Sequence, residues 1–204
     1  PDAHLLGMVG RLVPIKNHGE FLEVFARLAR ISPRLHLVII GGGETLPLLQ
    51  QIVQTLGLSS RVTFTGIYQP LEAAYSDMDL LVLPSKSEGT PVVLLEALAA
   101  GCPVAATDVG GVRDVLANGE RGTILSRLPL IMEKQLKDLV KKPDFNQPVP
   151  LQVRKDIITQ YSISSLVSAT SRLYAELTAG KGISPLAADS PPKQRPKGTS
   201  CNCG

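Results

Sequence analysis

Two glutamates in the middle of the chain, Glu88 and Glu96, are separated by seven residues and flank the start of a predicted helix. Between them, Gly89, Thr90 and Pro91 mark the turn into that helix, where proline is tolerated because the first helical N–H groups have no partner within the helix. Those N–H groups and the positive end of the helix dipole favour an anion such as a phosphate. The segment therefore predicts phosphate binding at the helix start, with Glu96 roughly 7 Å further along the helix at about 1.5 Å per residue.

Glu96 is the only polar residue between Val92 and Ala100. A helix that is apolar all round is typical of a buried element, so we expect Glu96 to be buried and to require a partner. An arginine or backbone amides of the core could be that partner. The hydroxyls of a ribose beside the phosphate are the alternative. Glu88 also has a simpler alternative role, as an acid that complements the helix dipole.

Two cations, Arg11 and Lys16, follow the first predicted strand in a loop that begins at Gly10. Such a pair at the edge of a sheet could neutralise a diphosphate, although arginine and lysine are also common on solvated loops. The segment Gly41–Glu44 follows the second strand and permits close backbone approach. Its spacing is not that of a dinucleotide fingerprint, and it lacks the lysine of a P-loop. His18 either caps the next helix or faces the ligand.

Six short apolar runs predict the strands that position these residues. Several are apolar at successive positions, as expected of parallel strands that are covered on both faces. Helical patterns separate them, and helices are also predicted over 129–142 and 166–177, with a loop over 143–150. The alternation predicts an α/β fold with an open parallel sheet, in which ligands bind beyond the carboxyl ends of the strands. The predicted strands are Leu5–Val9, Leu35–Ile40, Val62–Thr65, Leu80–Leu83, Val104–Thr107 and Gly122–Leu125.

Composition excludes several classes of function. The 204 residues are 44% hydrophobic, and the net charge of +3 equals the surplus of four cations over one acid in residues 181–204. The rest of the chain is neutral and has no tryptophan, which argues against a nucleic-acid partner. The three cysteines and three histidines have no spacing typical of a disulfide framework, a metal site or a catalytic triad. Cys102 is expected to be a small buried residue.

The two ends of the chain carry further expectations. Because the sequence opens at Pro1 without a methionine and reaches strand-like residues by Leu5, we expect an interior start. Residues 181–204 are rich in proline, lysine and serine, which predicts a disordered tail after a single domain over 1–180. No apolar run approaches the about 18 residues of a membrane-spanning helix, and no signal peptide opens the chain. We therefore expect a cytoplasmic protein.

The combination of these motifs resembles glycosyltransferase family 4 over about residues 5 to 125. The most diagnostic element is the spacing of Glu88 and Glu96. The resemblance is carried by Val9–Leu12 with Lys16, Ile40–Gly43, Val62 with Phe64 and Gly66, Asp79–Ser85, Glu88–Pro91 with Glu96 and Ala97, Ala100–Val104, and Gly110–Gly111. Tyr161–Ser162 before a final helix is similar to the family's closing segment.

The resemblance implies a fold and a reaction. The family has the GT-B architecture of two Rossmann-like domains, of which this chain matches the C-terminal, donor-binding one. We accordingly expect a Rossmann-like six-stranded parallel sheet with helices on both faces. The implied activity is retaining transfer of a hexosyl group from a UDP-sugar or GDP-sugar, without a metal or other cofactor. The implied partner is an N-terminal acceptor domain, in cis or in trans, and the full enzyme could be membrane-peripheral.

The resemblance also implies roles for individual residues. Arg11 and Lys16 would hold the donor diphosphate, Glu96 the ribose hydroxyls, and Glu88 a hydroxyl of the transferred sugar. The amides of Gly89 and Thr90, at the turn that Pro91 closes, would bind sugar and phosphate oxygens. The backbone from Arg61 and Val62 to Phe64 would line the base, with Gly43 and Glu44 near it.

Two alternatives to an isolated, inactive or weakly active glycosyltransferase half stay open. One is a non-catalytic regulatory module that binds a nucleotide, which would have no need of Glu88. The other is a nucleotide-sugar epimerase of related fold, which the spacing of the two glutamates disfavours.

Overall fold

The sheet that the sequence predicts is present in the computed structural model, which describes residues 3–179. All strand pairs are parallel, and the strand order is β3-β2-β1-β4-β5-β6. The order reverses between β1 and β4, and the crevice at such a reversal is where open α/β sheets bind ligands. The strands are β1 (His4–Val9), β2 (Leu35–Ile40), β3 (Val62–Gly66), β4 (Leu80–Leu83), β5 (Val104–Thr107) and β6 (Thr123–Leu125).

Helices connect the strands. They are α1 (His18–Ile31), α2 (Leu46–Thr55), α3 (Leu71–Asp77), α4 (Val92–Ala100), α5 (Val112–Val115), α6 (Pro129–Val140), α7 (Leu151–Tyr161) and α8 (Ile163–Ala179), with short 3-10 turns at Pro14–Lys16 and Ala117–Gly119. All six predicted strands are confirmed to within one residue at each end. The helix predicted over 129–142 begins at Pro129 and ends two residues early, at Val140, and the following loop is confirmed up to the start of α7. The sequence did not predict α3, α5 or α7.

The chain divides into two compact units at Ser162, and α8 belongs to the second unit. The predicted tail over 181–204 lies outside the described residues. Within residues 3–179, no helix is both long enough and apolar enough to cross a membrane.

The core of the first unit has two layers, one on each face of the sheet. Side chains of β4 alternate between them: Leu80 and Val82 pack with α1, α2 and α6, whereas Leu81 and Leu83 pack with α3, α4, α5 and α7. Both faces of the central strands are therefore covered, which confirms the interpretation of the uninterrupted apolar runs. Cys102 is 2% exposed and packs in the second layer, as predicted.

The structure corrects the expectation that α4 is buried on every side. Leu94, Ala97 and Leu98 are fully buried, but Val92 is 58% exposed and Glu96 is exposed. The sequence of α4 is apolar at almost every position, but its side chains are not equally buried. Within the first unit, only the side of α4 that faces the sheet, α3 and α7 is covered. Glu96 therefore lies on an open face of α4.

The end of α4 is tied to α7 by a side-chain contact that offers a test of the packing. The Arg154 guanidinium on α7 donates from Nε to the carbonyl oxygen of Ala99, at 2.9 Å. Because carbonyls in the last turn of a helix lack helical partners, Arg154→Ala is expected to lower the free energy of unfolding by about 1.5–3 kcal/mol. The measurement is urea denaturation. Lys155→Ala, an exposed neighbour on α7, should change stability by less than about 0.5 kcal/mol, and equal losses would contradict a specific role for Arg154.

Candidate functional site

The loops after β1 and β4 meet at the carboxyl edge of the sheet, where the strand order reverses. Lys16 ends the short turn after β1, and its Nζ donates to Oε1 of Glu88 in the loop after β4, at 2.7 Å. Side-chain exposures of 24% for Lys16 and 9% for Glu88 make this pair partly shielded from water. The backbone N–H of Lys86 donates to the carbonyl of Ile15 at 2.8 Å and ties the two loops together. Two residues that are 72 positions apart are thereby joined at one point.

The loop after β2 packs against the loop after β1 through its glycines. A Cβ at Gly41 would lie 1.9 Å from the carbonyl oxygen of Gly10, and a Cβ at Gly43 would lie 2.3 Å from that of Leu12. The predicted close backbone approach is therefore present, but between two protein loops. Gly43 and Glu44 are exposed at this edge.

The turn after β5 supports the backbone of the loop that carries Glu88. Gly111 donates its N–H to the carbonyl of Gly89 at 3.0 Å. Gly110 has a φ of +50°, and a Cβ there would lie 1.7 Å from the carbonyl oxygen of Glu88. The double glycine is thus a structural support for the loop at the start of α4.

The amino terminus of α4 is open. Pro91 precedes the first helical residue, and no side chain caps the helix. Gly89 and Thr90 are exposed. Arg11 is also exposed and, within residues 3–179, forms no ion pair. An anion at this helix start would meet free N–H groups, the helix dipole and the Lys16 ammonium.

Glu96 has a partner that is neither an arginine nor a backbone amide. The hydroxyl of Tyr75 on α3 donates to Oε2 of Glu96 at 2.7 Å. The carboxylate lies in a groove of about 620 Å³ between α3 and α4, with Gln69, Pro70 and Arg154 also in its walls. The other carboxylate oxygen, Oε1, forms no hydrogen bond to any of residues 3–179.

Arg61 and Val62 do not lie at this edge of the sheet, which corrects the prediction that they line a base. Val62 is buried and starts β3, opposite Leu37 near the start of β2. Arg61 precedes it and donates from its guanidinium to the carbonyl of Leu35. Both residues therefore lie at the amino end of the strand, because a parallel strand carries its first and last residues to opposite edges. Ile67 and Tyr68, which follow β3, are exposed at the carboxyl edge.

His18 begins α1 and neither caps it nor lies exposed to a ligand. It is 4% exposed, and its Nδ1 has no hydrogen-bond partner within residues 3–179. Burial, with a smaller contribution from the Lys16 charge, lowers the pKa of His18 from 6.5 to about 4. The imidazole is therefore neutral at pH 7.

This lowered pKa predicts a loss of stability in acid. The unfolded chain takes up a proton near pH 6.5 and the folded chain only near pH 4, so the contribution is complete above pH 6.5 and is lost as the pH falls toward 4. The slope should reach about 1.4 kcal/mol per pH unit for one proton. Urea unfolding of the wild-type protein and of His18→Gln at several pH values measures it. An unchanged slope in His18→Gln would assign the acid sensitivity to other groups.

Tyr75 is the residue of this edge that sequence reasoning missed. An aromatic residue before Asp79 offered only the signal of a core position, and α3 itself was not predicted. Within the described part of the chain, no three His, Cys, Asp or Glu side chains are grouped so as to hold a metal. The charged groups that the sequence singled out at this edge are the side chains of Arg11, Lys16, Glu88 and Glu96, beside the open start of α4.

Comparison with known proteins places the chain in a family. Residues 1–141 match the model of the glycosyl transferases group 1 family, and the chain belongs to that family. Its fold is that of a Rossmann-like domain of GT-B glycosyltransferases.

Individual relatives are similar over parts of their length. The chain is 27% identical to alpha-D-kanosaminyltransferase of Streptomyces kanamyceticus over 86% of the chain and 46% of that protein. It is 25% identical to the C-terminal domain of a glycosyl transferase group 1 family protein (LpcC) of Francisella tularensis, with a TM-score of 0.67 over 79% of this chain and 87% of that one. It also superposes on Anabaena HepE in complex with UDP and glucose at 18% identity, with a TM-score of 0.73 over 87% and 49% of the two chains. The chain thus spans less than half of the curated relative it matches here.

Proposed function

We propose that this chain is the donor-binding domain of a retaining glycosyltransferase of family 4, which transfers a hexosyl group from a UDP-sugar or GDP-sugar to a glycan, lipid or small-molecule acceptor. The observation that carries the proposal is the Lys16–Glu88 pair at the open amino terminus of α4. A cation for a diphosphate and a carboxylate for a sugar hydroxyl stand side by side there. The kinship with group 1 glycosyl transferases and the UDP and glucose named for HepE support it.

In this proposal each group stabilises one part of the donor. Lys16, Arg11 and the N–H groups of Gly89 and Thr90 hold the diphosphate and stabilise the negative charge that develops on it as the glycosidic bond breaks. Glu88 accepts a hydrogen bond from the sugar, and Glu96 accepts from the ribose. Two basic side chains and a helix start supply the positive charge, so we propose a reaction that needs no metal.

The acceptor side of the reaction is assigned to a second domain. The chain covers 46% of the length of the kanosaminyltransferase and 30% of a D-inositol 3-phosphate glycosyltransferase from Rhodococcus erythropolis, to which it is 35% identical. We propose that an N-terminal GT-B domain, in cis or in trans, supplies the acceptor site at the membrane or in the cytoplasm. On its own the chain should bind donor and transfer sugar weakly or not at all.

Calorimetric titration of the 204-residue protein with UDP, GDP, ADP and NAD tests the proposal. Binding selective for UDP or GDP, strengthened by an attached sugar, is expected. Glu96→Gln should weaken binding by about 1–3 kcal/mol because a charge-assisted hydrogen bond to the ribose is lost. The matched control is Glu23→Gln on the exposed side of α1, which should leave binding unchanged. Binding of nucleotide without any contribution from the sugar would favour the regulatory module, and no binding by the folded protein would refute the proposal.

A further inference from the structure

A buried tyrosine reaches from the core to an exposed carboxylate. Tyr75 is 1% exposed and is the largest fully buried side chain of the described residues, whereas its hydrogen-bond acceptor Glu96 is exposed. The ring packs in the core layer that holds α4, so the hydroxyl comes from a fixed direction. The fixed Tyr75 hydroxyl therefore holds the exposed Glu96 side chain in place.

The chemistry of the pair fixes which atom donates. Burial, reinforced by the hydrogen bond to Glu96, raises the pKa of the Tyr75 hydroxyl above its ordinary value of 10. The phenol stays protonated and donates to Oε2, since an ionised carboxylate can only accept. A free glutamate side chain samples many rotamers and loses that freedom when it binds a ligand. The hydrogen bond from Tyr75 restricts the Glu96 side chain before a ligand arrives. Less conformational entropy is therefore lost on binding, and the ligand binds more tightly.

The contact also decides which oxygen of Glu96 remains available. Oε2 is engaged by Tyr75, and the carboxylate lies in the groove between α3 and α4. Oε1 has no partner within residues 3–179, so it can accept from a hydroxyl in the groove. A ribose offers two adjacent hydroxyls, whereas a dideoxyribose offers none.

We infer that Tyr75 is a positioning residue for ribose recognition: its hydroxyl holds Oε2 of Glu96 so that Oε1 is presented to the ribose hydroxyls of the nucleotide. The inference rests on the proposed function and adds a source of selectivity for ribonucleotides over deoxyribonucleotides. Tyr75 itself does not contact the nucleotide.

Calorimetric titration of four proteins tests the inference: the wild type, Tyr75→Phe, Glu96→Gln and the double variant. Each is titrated with the preferred ribonucleoside diphosphate and with its 2′,3′-dideoxy counterpart. Tyr75→Phe should weaken binding of the ribonucleotide by about fivefold to tenfold and leave the dideoxynucleotide within about twofold, because Glu96 regains rotamer freedom that it must then lose on binding the ribose. The double variant should bind like Glu96→Gln alone, because the two residues act as one unit.

Other outcomes of the titrations distinguish a failure of this inference from a failure of the proposed function. If Tyr75→Phe weakens both nucleotides equally, or neither, Tyr75 has only a structural role and the inference fails while the proposed function stands. If the wild type binds both nucleotides equally well, the ribose role of Glu96 fails and the inference fails with it. If the wild type binds no nucleotide, the proposed function fails as well.

A measurement on the wild-type protein covers the case in which Tyr75→Phe does not fold. The chain has four tyrosines, and ¹³C labelling of the phenolic carbon gives one NMR resonance for each. Phenylalanine variants of Tyr68, Tyr161 and Tyr174 assign the Tyr75 resonance by elimination. That resonance should shift with the ribonucleotide and stay in place with the dideoxynucleotide. A resonance that responds to neither, or equally to both, would overturn the inference.

Discussion

Gly110→Ala is expected to lower the free energy of unfolding by about 2–5 kcal/mol. The new methyl group would lie 1.7 Å from the carbonyl oxygen of Glu88, and the φ of +50° is unfavourable for any residue with a Cβ. Overpacking contributes about 1–3 kcal/mol and the left-handed backbone a further 1–2 kcal/mol or so. The clash is with backbone, so no side-chain rotation relieves it. Urea denaturation at pH 7 measures the loss.

Gly57→Ala separates the two contributions. Gly57 has a similar φ of +68°, but a Cβ there meets nothing within 4 Å. Its replacement should therefore cost only the backbone contribution of about 1–2 kcal/mol. Similar losses in the two variants would show that the turn after β5 moves away from Glu88 at little cost.

Nucleotide binding by Gly110→Ala protein that remains folded also tests the support that Gly110 gives to the loop at the start of α4. The variant displaces the backbone of Glu88 and Gly89, so nucleotide affinity should fall even where the protein remains folded. Gly57 lies after α2, away from the Lys16–Glu88 pair, and its variant should bind as the wild type does. Loss of stability together with unchanged affinity would contradict a supporting role of Gly110 at the start of α4.

The sheet was predictable because each strand has a strong local signal. Runs such as Leu80–Leu83 are apolar at every position, and their bounds follow from the turns that flank them. The short helices lack such a signal: α5 has four residues, and α7 has polar residues on most of its length with Ile157 as its only buried residue. Their helical state depends on packing against the sheet and α4, which local propensity does not encode.

The site was predictable where residues follow strands closely, and less so elsewhere. Lys16 and Glu88 come together because β1 and β4 are neighbours, and their loops are short. The sequence prediction assigned Arg61 to the wrong edge of the sheet. Arg61 is next to β3 in the sequence, but it precedes the strand and therefore lies at the amino end. The exposure of Glu96 was misjudged because an apolar helix sequence does not reveal that one side of α4 lacks a covering layer in this unit. Tyr75 could be linked to Glu96 only through the packing of α3 on α4.

Lys16→Ala is expected to weaken binding of UDP or GDP by about 10-fold to 100-fold while leaving uridine or guanosine within about twofold. The ammonium is assigned to the diphosphate, and a hydrogen bond between charged groups contributes about 1.5–3 kcal/mol. Calorimetric titration of nucleoside and nucleoside diphosphate gives the ratio directly. A general loss of stability would weaken the binding of both ligands alike. The ratio of the two affinities therefore also corrects for any destabilisation that follows when Glu88, at 9% side-chain exposure, loses its partner.

Lys134→Ala is the matched control for charge. Lys134 is exposed on α6, and its removal changes the net charge by the same amount without touching the loops after β1 and β4. It should leave both affinities unchanged at 0.15 M salt, because charges on the surface are screened beyond about 8 Å. An equal loss for nucleoside and nucleoside diphosphate in Lys16→Ala would remove Lys16 from the phosphate.

Glu88→Gln should act in the opposite direction on the diphosphate, because Lys16 and Glu88 neutralise each other in this structure and the donor must compete for the ammonium. An amide in place of the carboxylate releases the Lys16 charge, so UDP or GDP should bind as tightly as to the wild type or more tightly. The nucleotide sugar should lose its advantage over the nucleoside diphosphate, since the carboxylate is assigned to a sugar hydroxyl. If Glu88→Gln weakens both ligands alike, the carboxylate serves chiefly to position Lys16. That result would reassign Glu88 from the sugar to the diphosphate side of the site.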